Sequence, residues 1–174
     1  MGVMLIAKVR RVEELVDMPK PGHVVDDIDA RILRALTKDP RATVVGLAEV
    51  TGLARNTVHS RLARFEADGV LQPFERRIDP AALGYPLTAF IMVTVTQRKL
   101  APIGESLKGV PEVLEVHGLS GVTDLLVHIV ARDADDLYRI AGLILDIDGV
   151  EKTTTGLVMR RLVDYRLSPL LDSL

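Results

Sequence analysis

"GLARNTVHSRLARFEADG", residues 52–69, decides the reading of this chain. It carries Arg55, Arg61 and Arg64 with no acid between them, inside a 174-residue protein whose formal net charge is −2. Wound as a helix, it places Val58, Leu62 and Phe65 on one side, which has to be buried against something. The opposite side gathers Asn56, His59, Ser60, Ala63 and Arg64, with Arg55 at the exposed N-terminal end. Such a face suits a major groove. Asparagine pairs in bidentate fashion with adenine, arginine with guanine or a phosphate, and alanine lets the helix come close. Arg61 lies at the flank, within reach of a phosphate or of a carboxylate in its own domain.

A lone basic helix is usually just a solvated face, so its neighbours matter. Upstream, "VVDDIDARILRALTKDP" spaces Ile28, Ile32, Leu33 and Leu36 for a helix over roughly 27–38. Asp26, Asp27 and Asp29 fall in its first turn, where acids favour the helix dipole, and Pro40 lies beyond its end. "TVVGLAEVTG" predicts a short helix led by Thr43 and closed by Gly52, burying Val44, Leu47, Ala48 and Val50. Two short helices joined by a glycine-containing turn, with a third ahead of them, make a helix-turn-helix. After Gly69, "VLQPFERRID" reads as an extended segment or wing, with Arg76 and Arg77 as further phosphate ligands.

The charge distribution agrees. From Ala30 to Arg64 there are seven basic residues against two acidic, whereas from Pro86 to the end nine basic residues meet twelve acidic. Only the first part is suited to a polyanion, and its local charge supplies the sequence-independent attraction that DNA binding needs. With 48% hydrophobic and 26% charged residues, the chain has the makeup of a soluble globular protein rather than a disordered one. It has no cysteine, which excludes disulfides, thiolate metal sites and cysteine nucleophiles and points to the cytoplasm. The opening "MGVMLIAKVRRVEELV" is too short an apolar run to span a bilayer and lacks a signal-peptide cleavage site. It is expected to be an accessory amphipathic helix or a variable N-terminal extension within residues 1–25, with "DMPKPGH" as a linker.

The C-terminal part is of a different kind. "LTAFIMVTVT", "VPEVLEVHGL", "TDLLVHIVA" and "VEKTTTGLVMRRL" read as four strands. "APIGESLKG" supplies a short helix between the first two, and "DADDLYRIAGLILDIDG", opened by Asp133, a longer one before the last. The order βαββαβ predicts a ferredoxin-like sheet with both helices on one face. Strands one and three are apolar on both sides, so the open face is expected to pack against a second copy, making at least a homodimer. The fold class expected is α+β: a winged helix-turn-helix over 26–78, a hinge over 79–86, a ferredoxin-like domain over 87–167 and a tail over 168–174.

From about Val25 to Leu167 the chain resembles the Lrp/AsnC, or feast/famine, family of transcription regulators. The residues that carry the resemblance are "DDIDARILRALTKDPRATVVGLAEVTGLARNTVHSRLARFEADGVL", the hinge "DPAALGY", "VHGLSGVTDLLVHI" and "GVEKTTTGLVM". Arg61, Leu62, Glu66 and Gly69 fall where the family pattern has its arginine, aliphatic, acid and glycine. The resemblance implies a helix-turn-helix joined to a ferredoxin-like RAM domain that binds an amino acid or related small effector. It also implies double-stranded DNA as partner and dimers that assemble further, often to octamers. The implied effector loop is Gly118, Leu119, Ser120, Gly121, Val122, Thr123 and Asp124, with Thr153 and Thr155 on the last strand completing the pocket. Val122 replaces the loop's usual first acid, Ala54 replaces a usual serine cap, and Pro73-Phe74 replaces a glycine and a tyrosine.

No cofactor or metal is expected. His23, His59, His117 and His128 lack metal-ligand spacing, and "GLSG" lacks the lysine and hydroxyl of a phosphate loop. Two alternatives remain open at this point. One is an architectural DNA-binding protein without effector control. The other is an enzyme resembling the siroheme decarboxylases, disfavoured by the 3% aromatic content and the absence of tryptophan.

Overall fold

Asp26 starts the first helix. In the computed structural model, which describes residues 24–174, α1 spans Asp27–Lys38 and is capped by Asp26, whose side chain accepts from the backbone N–H of Asp29. Asp29 returns the contact to the backbone N–H of Asp26, completing a capping box that satisfies two otherwise orphaned donors. The expected N-terminal extension lies, up to residue 23, outside the described residues. Helix α2, Val44–Thr51, is capped by Thr43 and ends at Gly52, whose φ of 66° is left-handed. Helix α3, Arg55–Ala67, follows at once.

The three helices bury Ile32, Ala35, Leu47, Ala48, Val58 and Phe65 in one core. Val50, expected inside, is instead 77% exposed. The inward stripe of α2 is Val44, Leu47, Ala48 and Thr51, and Val50 lies about a third of a turn from its centre. Thr51 takes the inward place because its hydroxyl donates to the Leu47 carbonyl and needs no water. The segment expected as an extended wing is a 3-10 turn, Phe74–Arg77. Among the described residues no strand partner exists for it, so an extended backbone there would leave its hydrogen bonds unmade. A short helix α6, Ser168–Asp172, packs on α1, and Arg34 donates to the Leu171 carbonyl and pairs with Asp172 at 3.6 Å. The chain from Leu162 onward thus clusters with the helical unit, whereas the sequence placed the end of the second domain at 167.

The second unit, Arg77–Arg161, holds β1 Leu87–Val95, α4 Leu100–Lys108, β2 Val113–Gly118, β3 Leu125–Ala131, α5 Ala134–Leu145 and β4 Val150–Leu157. The sheet is antiparallel with order β2-β3-β1-β4, the arrangement of a ferredoxin-like fold. Ala89, Ile91, Val93 and Val95 of β1 and Leu125, Val127, Ile129 and Ala131 of β3 meet Ile103 and Leu107 of α4 and Ile140 and Ile144 of α5. Both helices therefore cover one face of the sheet. Phe90, Met92, Leu126 and His128 alternate onto the other face. β4 was expected to run to 162 but ends at Leu157. Among the described residues it pairs only with β1, and the Val158 N–H bonds to Thr88 near the start of β1, where that ladder ends.

Helix α5 is anchored by charge as well as by its apolar side. Asp133 caps it, and Asp136 accepts from the backbone and side chain of Arg132 and from Arg139. These donors, led by the Arg132 side chain, hold the Asp136 carboxyl well below the usual range. Ile140→Ala, which empties a site with no exposed surface between α5 and the sheet, is expected to cost about 2–5 kcal/mol of stability by denaturant unfolding.

Candidate nucleic-acid interface and effector loop

Val58 and Phe65 are buried and Leu62 is half-buried, so the inner side of α3 is fixed by the helical core. That leaves Arg55, Asn56, His59, Ser60, Ala63 and Arg64 exposed on the outer side. The Ser60 hydroxyl donates to the Thr57 carbonyl at 3.0 Å, which keeps its lone pairs facing outward as acceptors. At the start of α3, Ala54 makes no side-chain capping bond, as expected of alanine.

Arg61 is engaged within its own domain. Its Nη1 donates to Asp26 at 2.6 Å and to Asp29 at 2.7 Å, and its side chain is only 21% exposed. Of the two partners that the sequence left open for it, the carboxylate is the one it meets. Arg64 also reaches Asp29, at 3.2 Å, yet keeps 42% of its side chain exposed. The acids at the start of α1 thus do more than favour a dipole: they fasten α3 to α1 through two arginines. The backbone N–H of Asp29, followed by Arg61, pulls the Asp26 carboxyl down to about 2. The same carboxylates push the Arg61 guanidinium above its ordinary value.

The positive charge of this region is accordingly smaller at the surface than in the sequence. Arg31 donates to the Thr51 carbonyl at the end of α2, Arg34 to Leu171, and Arg61 to two carboxylates. Arg55 and Arg64 are the cations left on the outer side of α3. Arg76 and Arg77 are exposed at the end of the 3-10 turn.

In the second unit, Gly118–Asp124 forms one loop from the end of β2 to the start of β3, closed by a bond from the Leu119 N–H to the Asp124 carbonyl at 2.8 Å. Asp124 fastens this loop to the sheet. Its N–H donates to Val93, its Oδ2 accepts from the Val95 N–H at 3.0 Å, and its Oδ1 from Gln97 at 2.6 Å. Gly121 has φ of 145°, a conformation that disfavours a side chain, and Val122 beside it is 97% exposed. Ser120 is exposed and Thr123 half-buried.

Thr153 and Thr155 stand on β4, on the far side of β1, paired with Val93 and Ile91. Val93 is the link between the two groups: the Asp124 N–H bonds to its carbonyl, and Thr153 is its neighbour across the strand. Loop and threonines therefore share one level of the sheet, with β1 between them. On the face opposite α4 and α5, Phe90 stacks on His128 with centroids 4.7 Å apart. Glu115 lies 3.4 Å from His117 and 3.9 Å from His128. Burial pushes His128 below its usual value, and Glu115 only partly offsets this. Among the described residues no cluster of three metal-ligating side chains occurs, and no helix is long and apolar enough to cross a membrane.

A helix-turn-helix with a polar, cationic outer face, followed by a ferredoxin-like domain with a fastened glycine-rich loop, defines a two-domain DNA-binding protein with a ligand-sensing module. Comparison with known proteins agrees in both halves: residues 25–72 match the winged helix-turn-helix DNA-binding family, and residues 88–168 match the Lrp/AsnC ligand binding domain. The HTH-type transcriptional regulator FL11 of Pyrococcus horikoshii is 36% identical over 136 residues, covering 78% of this chain and 90% of that protein. The HTH-type transcriptional regulator AldR of Mycolicibacterium smegmatis is 37% identical over 142 residues, covering 79% of this chain and 83% of its own. Among solved structures, the feast or famine regulatory protein from M. tuberculosis complexed with L-methionine superimposes with a TM-score of 0.72 at 28% identity, over 83% of this chain and 98% of that one. The chain belongs to the Lrp/AsnC family of transcriptional regulators.

Two measurements follow, one from the uncapped start of α3 and one from its ionic contact with α1. Ala54→Ser, which restores a capping hydroxyl, is expected to raise stability by about 1 kcal/mol in denaturant unfolding. The depressed carboxyl of Asp26 contributes stability that is complete above its ordinary value of 3.8 and is lost as the pH falls toward about 2. Asparagine at this position keeps the cap but not the charge. In thermal unfolding, the wild type should therefore exceed Asp26→Asn near neutral pH, and the gap should close across that acid window.

Proposed function

We propose that this protein is a sequence-specific regulator that reads duplex DNA with the outer side of α3. In this reading Asn56, His59, Ser60 and Arg64 face base edges, while Arg55, Arg76 and Arg77 meet phosphates and Arg61 holds the helix from behind. The observation that carries it is the division of α3 itself. Its apolar side is consumed by the core, while the side left exposed holds hydrogen-bonding and cationic residues with Ala63 among them.

The proposed division is a DNA-binding domain over 26–78, a hinge over 79–86 and an effector and assembly domain over 87–161, with the segment from Leu162 onward belonging to the helical unit. The effector site is assigned to Gly118, Leu119, Ser120, Gly121, Val122 and Thr123, with Asp124 holding the loop and Thr153 and Thr155 contributing from β4. The ligand class is an amino acid, supported by the L-methionine bound to the related M. tuberculosis regulator. An amino acid needs donors for its carboxylate and acceptors for its ammonium, and the exposed loop backbone offers both. Val122 removes a charged side chain from that loop, which favours an apolar effector over a charged one. The sheet face that α4 and α5 leave, with Met92 37% exposed beside Phe90 and Leu126, is assigned to a homodimer that assembles further, as in an octamer, in the cytoplasm.

Arg64→Ala tests the reading face. DNA affinity, measured by mobility shift, is expected to fall about tenfold while the oligomer size in solution stays unchanged. Unchanged affinity would mean that α3 does not read DNA.

A further inference from the structure

Three acids begin α1, and a helix start needs no buried one. Asp27 is an ordinary first-turn acid and Asp26 is the cap. Asp29 is different, because it has no exposed surface at all. Its Oδ2 accepts from the Asp26 N–H at 3.2 Å and its Oδ1 from Arg61 at 2.7 Å. The capping box and one arginine would already serve a structural carboxylate. Arg64, three residues further along α3, also donates to it, at 3.2 Å. One buried anion thereby joins the helix core to a residue of the outer side.

We infer that Asp29 is a positioning residue for DNA recognition: by holding the Arg64 guanidinium, it sets the direction in which that side chain meets a base. This rests on the assignment of α3 as the reading helix. An arginine on a long flexible stem loses rotamer freedom when it binds, and a side chain already anchored at one nitrogen has less to lose. The anchor also changes the balance between specific and nonspecific binding. The carboxylate offsets charge on the DNA-facing unit, which weakens sequence-independent attraction, while the fixed geometry favours the correct base. Loss of the Asp29 carboxylate should therefore lower discrimination while leaving affinity for arbitrary DNA unchanged or raised.

The sequence discloses the motif without its role. Asp29 and Arg64 are 35 residues apart, and nothing local in either segment pairs them.

The test uses the full chain and two duplexes: one enriched by the wild-type protein from a random-sequence pool, the other a scrambled duplex of the same composition. The reading is the ratio of the two affinities, which an inactive fraction of protein leaves unchanged because both binding reactions lose it equally. Asp29→Glu keeps the charge, and glutamate fills a capping box, but the added methylene moves the carboxylate away from its place beside Arg64. Asp29→Asn is the second variant. Each is expected to lower the ratio about tenfold, and the same substitutions made on Arg64→Ala should lower it no further. A ratio unchanged by both variants overturns the inference, as does an equal fall in the Arg64→Ala background. If Arg64→Ala itself leaves the ratio intact, the reading-helix assignment has failed. If Arg64→Ala lowers it but the Asp29 variants do not, only the positioning role has failed.

Discussion

A carboxylate with no exposed surface has to be paired, and in the helical unit the pairing of Asp29 decides how the third helix is held. Removing a carboxylate from water costs several kcal/mol unless charged donors and hydrogen bonds replace the lost solvent. Among the described residues the donors are the Asp26 backbone, Arg61 and Arg64. Two of the three come from α3, so α1 and α3 are joined by an ionic contact as well as by the packing of Ile32, Val58 and Phe65. Apolar packing alone is tolerant of small rotations of a helix about its axis. A directional contact to two arginines is not, and a helix that reads bases needs its rotation set.

The second unit solves a different problem. Its sheet is covered by two helices on one face, and the loop from β2 to β3 is anchored by a single aspartate that makes three hydrogen bonds to β1 and its extension. With Asp124 occupied in this way, the loop presents backbone groups and the exposed side chains of Ser120 and Val122. Recognition through backbone suits a class of ligands that share an ammonium and a carboxylate and differ in their side chain. Specificity is then left to whatever surrounds the loop.

Most of the architecture was legible because it rests on local periodicity. The helix over 27–38, the helix opened by Asp133 and the strand alternation of "LTAFIMVTV" each follow from neighbours within a few residues, and the structure has them. Glycine at 52 and the apolar stripe of α3 were equally local. The failures were of a consistent kind. Val50 was assigned to the core because it is apolar, although the eight-residue helix has only one inward stripe and Thr51 satisfies itself there. The wing and the length of β4 depend on which backbone lies alongside, which no local pattern specifies. Counting charge from Ala30 onward left out Asp26 and Asp29, the acids that meet Arg61 and Arg64 across the fold. Thr153 and the loop were grouped by resemblance. Only the strand register shows that Val93 lies between them.

In the proposed function a DNA-reading helix and an amino-acid-sensing domain are coupled within one chain. The measurement that bears on it most directly is a mobility shift with the duplex upstream of the protein's own coding sequence, repeated with each amino acid added and at two salt concentrations. The expected result is a salt-sensitive shift whose affinity is altered by one or a few amino acids, apolar ones foremost. A shift that no amino acid alters would contradict it, leaving a DNA-binding protein without effector control.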